Sequence, residues 1–507
     1  MTGIVLGLDQ GTSSTRCLAL DHDLTQRGAA AVAVRASFPA PGRVEQDPDA
    51  LVVSASSAIT DALTAAGATP KEVVALGIAN QTETFIVSER ASGRPVYPAI
   101  VWQDRRTADR CSALAEAGHA RLVRARTGLE LDATFPATKV GWLLDHVSDA
   151  RAAAEAGELV YDEVAAWLVA HLTGVHACEA GNAGRTLLCP LGGDDWDDQL
   201  LDLFGIPRAL LPPIVDSDAV AAPALPAGLT PPAAALALPA ALALPATDLP
   251  VSAVLGDQQA SLFGLGCRQA GAAKVTLGTG AFILAQAGAT APSPPPGVLA
   301  SCAWRWRGKT SYALEGFVPT AGSALDWFAG LGVLPPAPEL DALLSAAGPE
   351  DGAVACVPAL QGLGTPGWDP SVRAALVGLS RATTRAHVAR AVVDGVLHQV
   401  ADALAAINVV MPLQTVLLDG GMSRSDWVVQ RLADLADVRV QRAARGEATA
   451  IGAAMMAGLA TGFWSSVDEL PEVAVDRVAE PSLHPSERAA RREQWSSAVA
   501  LAVEWQN

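Results

Sequence analysis

Several short stretches of the chain gather the residue types that handle phosphate. Residues 6–16 read Leu-Gly-Leu-Asp-Gln-Gly-Thr-Ser-Ser-Thr-Arg. Gly7 and Gly11 allow tight backbone geometry, and Thr12, Ser13, Ser14 and Thr15 offer hydroxyls and N–H groups at a turn. Asp9 adds a carboxylate, which beside phosphates is tolerable mainly through a divalent cation. An ordinary glycine/serine turn would carry the same letters. Two further glycine turns end apolar runs, at Gly278-Thr279-Gly280 and at Gly420-Gly421, and Gly256-Asp257-Gln258-Gln259 sets a second acid at the head of an apolar helix. One such turn means little; three in this order with Asp9 and Asp257 point to phosphate chemistry. No GxxxxGK[ST] loop occurs. The GxGxxG at Gly362, Gly364 and Gly367 contains Pro366 and precedes Pro370, so a helix cannot begin there as a dinucleotide site requires.

The elements that must position these residues follow from periodicity. Residues 4–20 predict strand, turn and strand, residues 30–34 a third strand, and Asp47-Pro48 opens a helix over 50–66. Strands follow over 73–78 and 84–88. The second half repeats the pattern: a hairpin over 274–284, a strand near 311–316, a long helix over 387–406, a strand over 416–418, and helices over 449–460 and 486–505. Comparable hairpins in both halves predict an α/β fold of two duplicated domains facing each other across a cleft. The composition shifts to Ala, Leu and Pro over residues 221–250, read as irregular packed surface structure, and the boundary is placed there: 1–250 and 251–507.

The chain has 507 residues, half of them hydrophobic and 17% charged, enough for two or three cores. A formal charge of −18 argues against generic nucleic-acid binding, which rests on phosphate neutralisation by Lys and Arg. No uninterrupted apolar run approaches the roughly 18–20 residues of a membrane span, and the start lacks a signal-peptide pattern, so a cytoplasmic protein without membrane attachment is expected. Seven scattered cysteines, none in a CxxC pair, fit reduced core thiols.

In its motifs the chain resembles the FGGY carbohydrate kinases over essentially its whole length, most closely the members that act on glycerol. The resemblance is carried by residues 8–16, Gly77-Ile78-Ala79-Asn80-Gln81, Ala99-Ile100-Val101-Trp102-Gln103 with Arg105-Arg106, residues 256–260, Gly278-Thr279-Gly280, Tyr312-Ala313-Leu314-Glu315-Gly316, Asp419-Gly420-Gly421, and residues 374–379 with His387 and Asp394. It implies two actin-like, ribonuclease-H-like domains closing on ATP, Mg²⁺ and a small polyol, and a homodimer or homotetramer. Carried over by position, Thr12, Ser13, Ser14, Arg16, Thr279, Gly322, Asp326, Gly421 and Ser425 would form the nucleotide site. Asp9, with Asp257, would hold Mg²⁺. Asp257 would accept the proton of the attacking hydroxyl, and Thr82, Glu83, Trp102, Thr134, Gln258 and Phe282 would bound the acceptor pocket. For Asp257 a helix N-cap is a competing role, and for Trp102 and Phe282 plain core packing.

Two departures fall on the acceptor pocket: the resembled kinases usually carry Arg before the Glu where this chain has Thr82, and Tyr where it has Thr134. Fewer donors and more volume predict an acceptor larger than glycerol, a polyol or a ketose such as a pentulose, or weak binding of glycerol. Asp326 and Ser425 likewise replace the usual Gln and Asn. A non-catalytic actin-like nucleotide switch is a third reading, but it would need neither Asp257 nor a pocket with Trp102 and Glu83.

Overall fold

In the computed structural model, which describes residues 3–219, 249–335, 337–348 and 354–505, two sheets repeat one plan. Strands β1 (Ile4–Gln10), β2 (Ser14–Leu20) and β3 (Gln26–Ala33) form an antiparallel meander. Helix α1 (Pro48–Ala66) then crosses back, and β4 (Val73–Asn80) pairs parallel with β1. The helix starts where predicted: Asp47 accepts the N–H of Asp49, Pro48 fills the first turn, and Gly67 ends it at φ 64°. It lies so close to the sheet that a Cβ on Gly28 would come within 2.3 Å of the Ala62 carbonyl oxygen. Strand β5 (Val251–Gly256) pairs parallel with β4 and completes the order β5-β4-β1-β2-β3.

Helix α2 (Asp257–Gly264) leads into the repeat. Strands β6 (Ala272–Leu277) and β7 (Ala281–Gly288) make the second hairpin, and β8 (Leu299–Trp306) and β9 (Lys309–Val318) extend it. Helix α3 (Arg385–Val410) crosses back, β10 (Thr415–Asp419) pairs parallel with β6, helix α4 (Asp426–Ala436) follows, and β11 (Arg439–Ala443) pairs parallel with β10. The meander β6-β7-β9 with β10 and β11 thus mirrors β1-β2-β3 with β4 and β5. Each half has three antiparallel strands, a helix and two parallel strands, with a core on the helical face of each sheet; the strand expected over 84–88 belongs instead to a smaller sheet, and β5 takes the fifth place in the first.

The division expected at residue 250 does not separate the sheets, because β5 lies beyond it and belongs to the first sheet. Helix α5 (Ala448–Thr461), late in the sequence, also packs on the first sheet and on α2, where Gly7 and Gly77 let it approach: a Cβ on either would lie 1.9 Å from a helix carbonyl oxygen. The Ala/Leu/Pro stretch falls, over 220–248, outside the described residues. A smaller five-stranded sheet, Ala36–Ser37, Glu45–Gln46, Ala99–Ile100, Phe85–Glu89 and Leu159–Glu163 in spatial order, carries the loops with Glu83 and Trp102. Strand β12 (Val475–Ala479) and helix α6 (Pro485–Glu504) close the chain against the second half.

Among the described residues one helix, α3, is long and apolar enough to cross a membrane, and two-thirds of its apolar window is buried in the fold. All seven cysteines are buried and unpaired, and burial pushes the Cys17 thiol up to about 12.

Candidate active site

Parallel pairing brings the two acids to one edge. Gly256 sits beside Asn80 and Asn80 beside Gln10, so Asp9 at the end of β1 and Asp257 just past β5 lie at the carboxyl ends of strands two apart, where open α/β sheets bind ligands. Asp257 is the first residue of α2, whose N-cap is Gly256; its Oδ1 accepts the Gln258 N–H at 2.7 Å. Burial, then the charge of Glu83, raises its pKa to about 6. Burial, then Asp257 and Glu447, raises that of Asp9 to about 7.

The first phosphate turn, residues 11–13, is closed by Gly11 N–H donating to the Ser14 carbonyl at 3.0 Å. Ser13 is exposed and Ser14 half-buried, with their N–H and hydroxyl groups at the sheet edge near Asp9. Arg16 does not stand alone: it forms an ion pair with Glu447, at the head of α5. Thr12 links phosphate turn and acceptor wall, since Trp102 Nε1 donates to its Oγ1 at 2.9 Å.

On the opposite side, Thr279, Gly322 and Gly421 come together. The Thr279 carbonyl accepts the N–H groups of Ala321 and Ser323, Gly322 N–H donates to Gly278, and a Cβ on Gly420, at φ 92°, would sit 2.4 Å from the Leu277 carbonyl oxygen. Around Gly421 there is open space. Asp326 is exposed on the helix Gly322–Gly330 that starts at this turn. Ser425 is engaged in structure: it caps α4 by accepting the Val428 N–H at 3.1 Å and donates to Asp341. A Cβ on Gly322 would lie 2.5 Å from the Gly278 carbonyl oxygen, so Gly322→Ala must push the turn and helix apart. Steady-state kinetics should show KM for ATP raised ~10-fold or more with KM for the acceptor unchanged, since sub-ångström misplacement suffices for such losses.

The residues expected to bound the acceptor pocket have the following partners. Glu83, held at φ 63°, accepts from Thr82 Oγ1 at 2.7 Å and from Arg185 Nε at 2.5 Å. The Thr82 methyl faces Gly256, where a Cβ would come within 2.5 Å of it. Gln258 Oε1 accepts from buried Lys274 Nζ at 2.7 Å, which also donates to Thr276, the strand partner of Phe282. Phe282 packs on Phe317 with ring centroids 5.0 Å apart. Thr134 is backed by Lys139, fully buried, whose Nζ donates to the carbonyls of Thr134 (2.8 Å) and Val101 (3.3 Å), fixing both pocket walls. Burial lowers the Lys139 pKa to about 7.

Arg185, Lys139, Lys274, Glu315 and Glu447 escape sequence reading as site residues. Charged side chains inside apolar stretches were the available signal for the two lysines. For Arg185 it was the polar loop 181–186 itself.

Among the described residues no cluster of three or more acidic, His or Cys side chains suits a metal. Asp9 and Asp257 supply two carboxylates whose pKa values are raised first by burial and then by neighbouring acids. That pair fits a hard divalent ion completing its shell with phosphate oxygens and water.

A model of the "FGGY family of carbohydrate kinases, N-terminal domain" matches residues 4–264, and that of the C-terminal domain matches 273–461. The chain is 43% identical to a glycerol kinase of Aromatoleum aromaticum, over 99% of both chains. The crystal structure of Plasmodium falciparum glycerol kinase with ADP superposes with a TM-score of 0.89 at 25% identity, covering 99% of this chain and 98% of that one. A xylulose kinase from Rhodospirillum rubrum shares the fold, with a TM-score of 0.85 at 24% identity over 99% and 98% of the two chains. With both domain models matched in order across most of its length, the chain belongs to the FGGY family of carbohydrate kinases.

Proposed function

We propose that the protein transfers the γ-phosphoryl group of ATP to a hydroxyl of a small polyol, as the glycerol kinases it is similar to are named for. The observation that carries this reading is Asp257: a carboxylate with pKa raised to about 6, at the strand ends, between Glu83 and the phosphate turns. Phosphoryl transfer asks for in-line positioning and neutralisation of oxygen charge more than for covalent help. Asp257 accepts the proton of the attacking hydroxyl at Oδ2, which takes a long 3.5 Å contact from Gln258 Nε2. Glu83 accepts hydrogen bonds from further hydroxyls, and the Trp102 face suits a C–H edge. The N–H and hydroxyl groups of Thr12, Ser13, Ser14 and Thr279 orient the phosphates, with Gly322 and Gly421 leaving room for the nucleotide. Arg16, when released from Glu447, adds charge there. Asp9 and Asp257 would hold Mg²⁺, which would supply neutralisation of the phosphate oxygens. Closure of the halves excludes water as a competing acceptor.

A second reading, a larger polyol or a ketose as acceptor, is favoured by Thr82 and Thr134. The Thr82 hydroxyl is turned onto Glu83 and its methyl onto Gly256, so it offers no fork of donors to a substrate. ADP release measured over three- to six-carbon polyols and ketoses decides between them. We expect four- and five-carbon acceptors to reach kcat/KM within ~10-fold of glycerol or above it, the scale of one or two methylene-sized contacts. A much higher kcat/KM for glycerol than for all of them would remove the second reading, and no turnover with any polyol would remove the first.

A further inference from the structure

Arg185 follows the short helix Ala180–Ala183 and keeps only 13% of its side chain exposed. Its two arms go to different halves of the molecule. Nε donates to Glu83 Oε1 in the acceptor loop, while Nη1 donates to Glu315 Oε2 on β9, in the second sheet. The other Glu315 oxygen accepts from Ser301 on neighbouring β8, so this carboxylate is itself fixed. The Phe135 ring, next to Thr134, lies 5.4 Å from the guanidinium centre.

Glu83 needs such support. A left-handed φ of 63° is costly for a glutamate and persists only where the surroundings over-determine it. Its second oxygen is taken by the Thr82 hydroxyl, which brings no charge. Among the described residues Arg185 is the cation in ion-pair contact with Glu83. A planar fork can hold two carboxylates at fixed directions, which a lysine point charge cannot.

We propose that Arg185 is a positioning residue of the acceptor site. It fixes the Glu83 carboxylate and, being anchored by Glu315, couples acceptor binding to the setting of the second half against the first. This rests on Glu83 being an acceptor ligand. The coupling is a property of the two ion pairs and holds whichever acceptor is used.

The test compares Arg185→Met, Arg185→Lys and Glu315→Gln in the full-length enzyme, with thermal melts to establish folding. Arg185→Met is expected to raise the acceptor KM ~30-fold with KM for ATP within twofold, the scale of one lost charge-assisted hydrogen bond. Arg185→Lys should recover part of that affinity. Glu315→Gln, which keeps the Glu83 pair, should leave acceptor KM within about threefold and lower kcat ~10-fold through looser setting of the halves. An unchanged acceptor KM in Arg185→Met, or equal shifts of both KM values in Arg185→Met and Glu315→Gln, would overturn the proposal. Hydrogen–deuterium exchange supplies a readout independent of the acceptor. Arg185→Met should speed exchange in both Phe85–Glu89 and Lys309–Val318, and a response in neither or only one refutes the coupling even if no polyol proves to be a substrate.

Discussion

Asp257→Asn is expected to lower kcat by ~10³, within the range that a positioned general base contributes. The substitution is nearly isosteric: the amide oxygen can still accept the Gln258 N–H, and a neutral group beside Glu83 removes a repulsion, so the variant should melt no lower than the wild type. Binding of ADP should be unaltered. A variant that kept kcat within ~10-fold of the wild type would exclude Asp257 as the proton acceptor, because loss of a base costs more than that. The pH profile gives an independent check. An acid ordinarily at 3.8 is held at about 6, so it is protonated, and unable to accept a proton, below that value. The wild-type kcat/KM should begin to fall as pH drops below about 7, where Asp9 takes its proton, and fall more steeply below about 6, where Asp257 does as well. Stability runs the other way. The folded state holds this proton more tightly than the unfolded one, so between about pH 4 and 6 rising pH removes stability while it restores the base.

Much of the frame was legible because it depends on local signals. Asp47-Pro48 and Gly67 bracket α1 by capping chemistry, and the turns at Gly11 and Gly278–Gly280 interrupt apolar runs, so the hairpins could be placed to within a few residues. Asp9, Asp257 and Glu83 stood out as acids at the ends of such runs. What could not be read was pairing between distant segments. That β5 joins the first sheet depends on its register with β4, some 175 residues earlier, and α5 reaches Gly7 and Gly77 from the far end of the chain. For the same reason the partner of Arg16 could not be read, since the fold brings Glu447 to it across 431 positions. The helix-capping bond of the Ser425 hydroxyl was likewise not read from its letter alone. The polar loop 181–186 marked Arg185 only weakly, because neither Glu83 nor Glu315 is near it in sequence. Local letters report what a turn can do; only the fold reports what already occupies it.

Asp9→Asn is expected to stabilise the nucleotide-free protein and to abolish most of its activity. Burial, with Asp257 and Glu447 nearby, raises the Asp9 pKa from 3.8 to about 7 while Arg16 offsets part of the rise. The folded state therefore prefers the proton, and ionising Asp9 at pH 8 costs stability, by about 2–4 kcal/mol at ~1.4 kcal/mol per unit with allowance for its partial exposure. The sign fixes the window. Below about pH 4 the carboxyl is neutral in both states and costs nothing; the cost builds as pH rises to 7 and is constant above it. Urea melts should accordingly show Asp9→Asn more stable than the wild type at pH 8, with the gap closing towards pH 4. If Asp9 holds Mg²⁺ as proposed, its charge is offset on binding, because the ion brings positive charge to the same place. Mg²⁺ with ADP should raise the wild-type melting temperature well above that of ADP alone and do little for Asp9→Asn, while kcat falls ~10²–10³, the scale seen when one transition-state charge contact is removed. A less stable variant at pH 8 would mean that Asp9 is held by contacts beyond its charge. An equal Mg²⁺ response in both proteins would place the ion elsewhere. The outcome expected instead is a site that is strained by its own acids when empty and relaxed by the ligand it exists to bind.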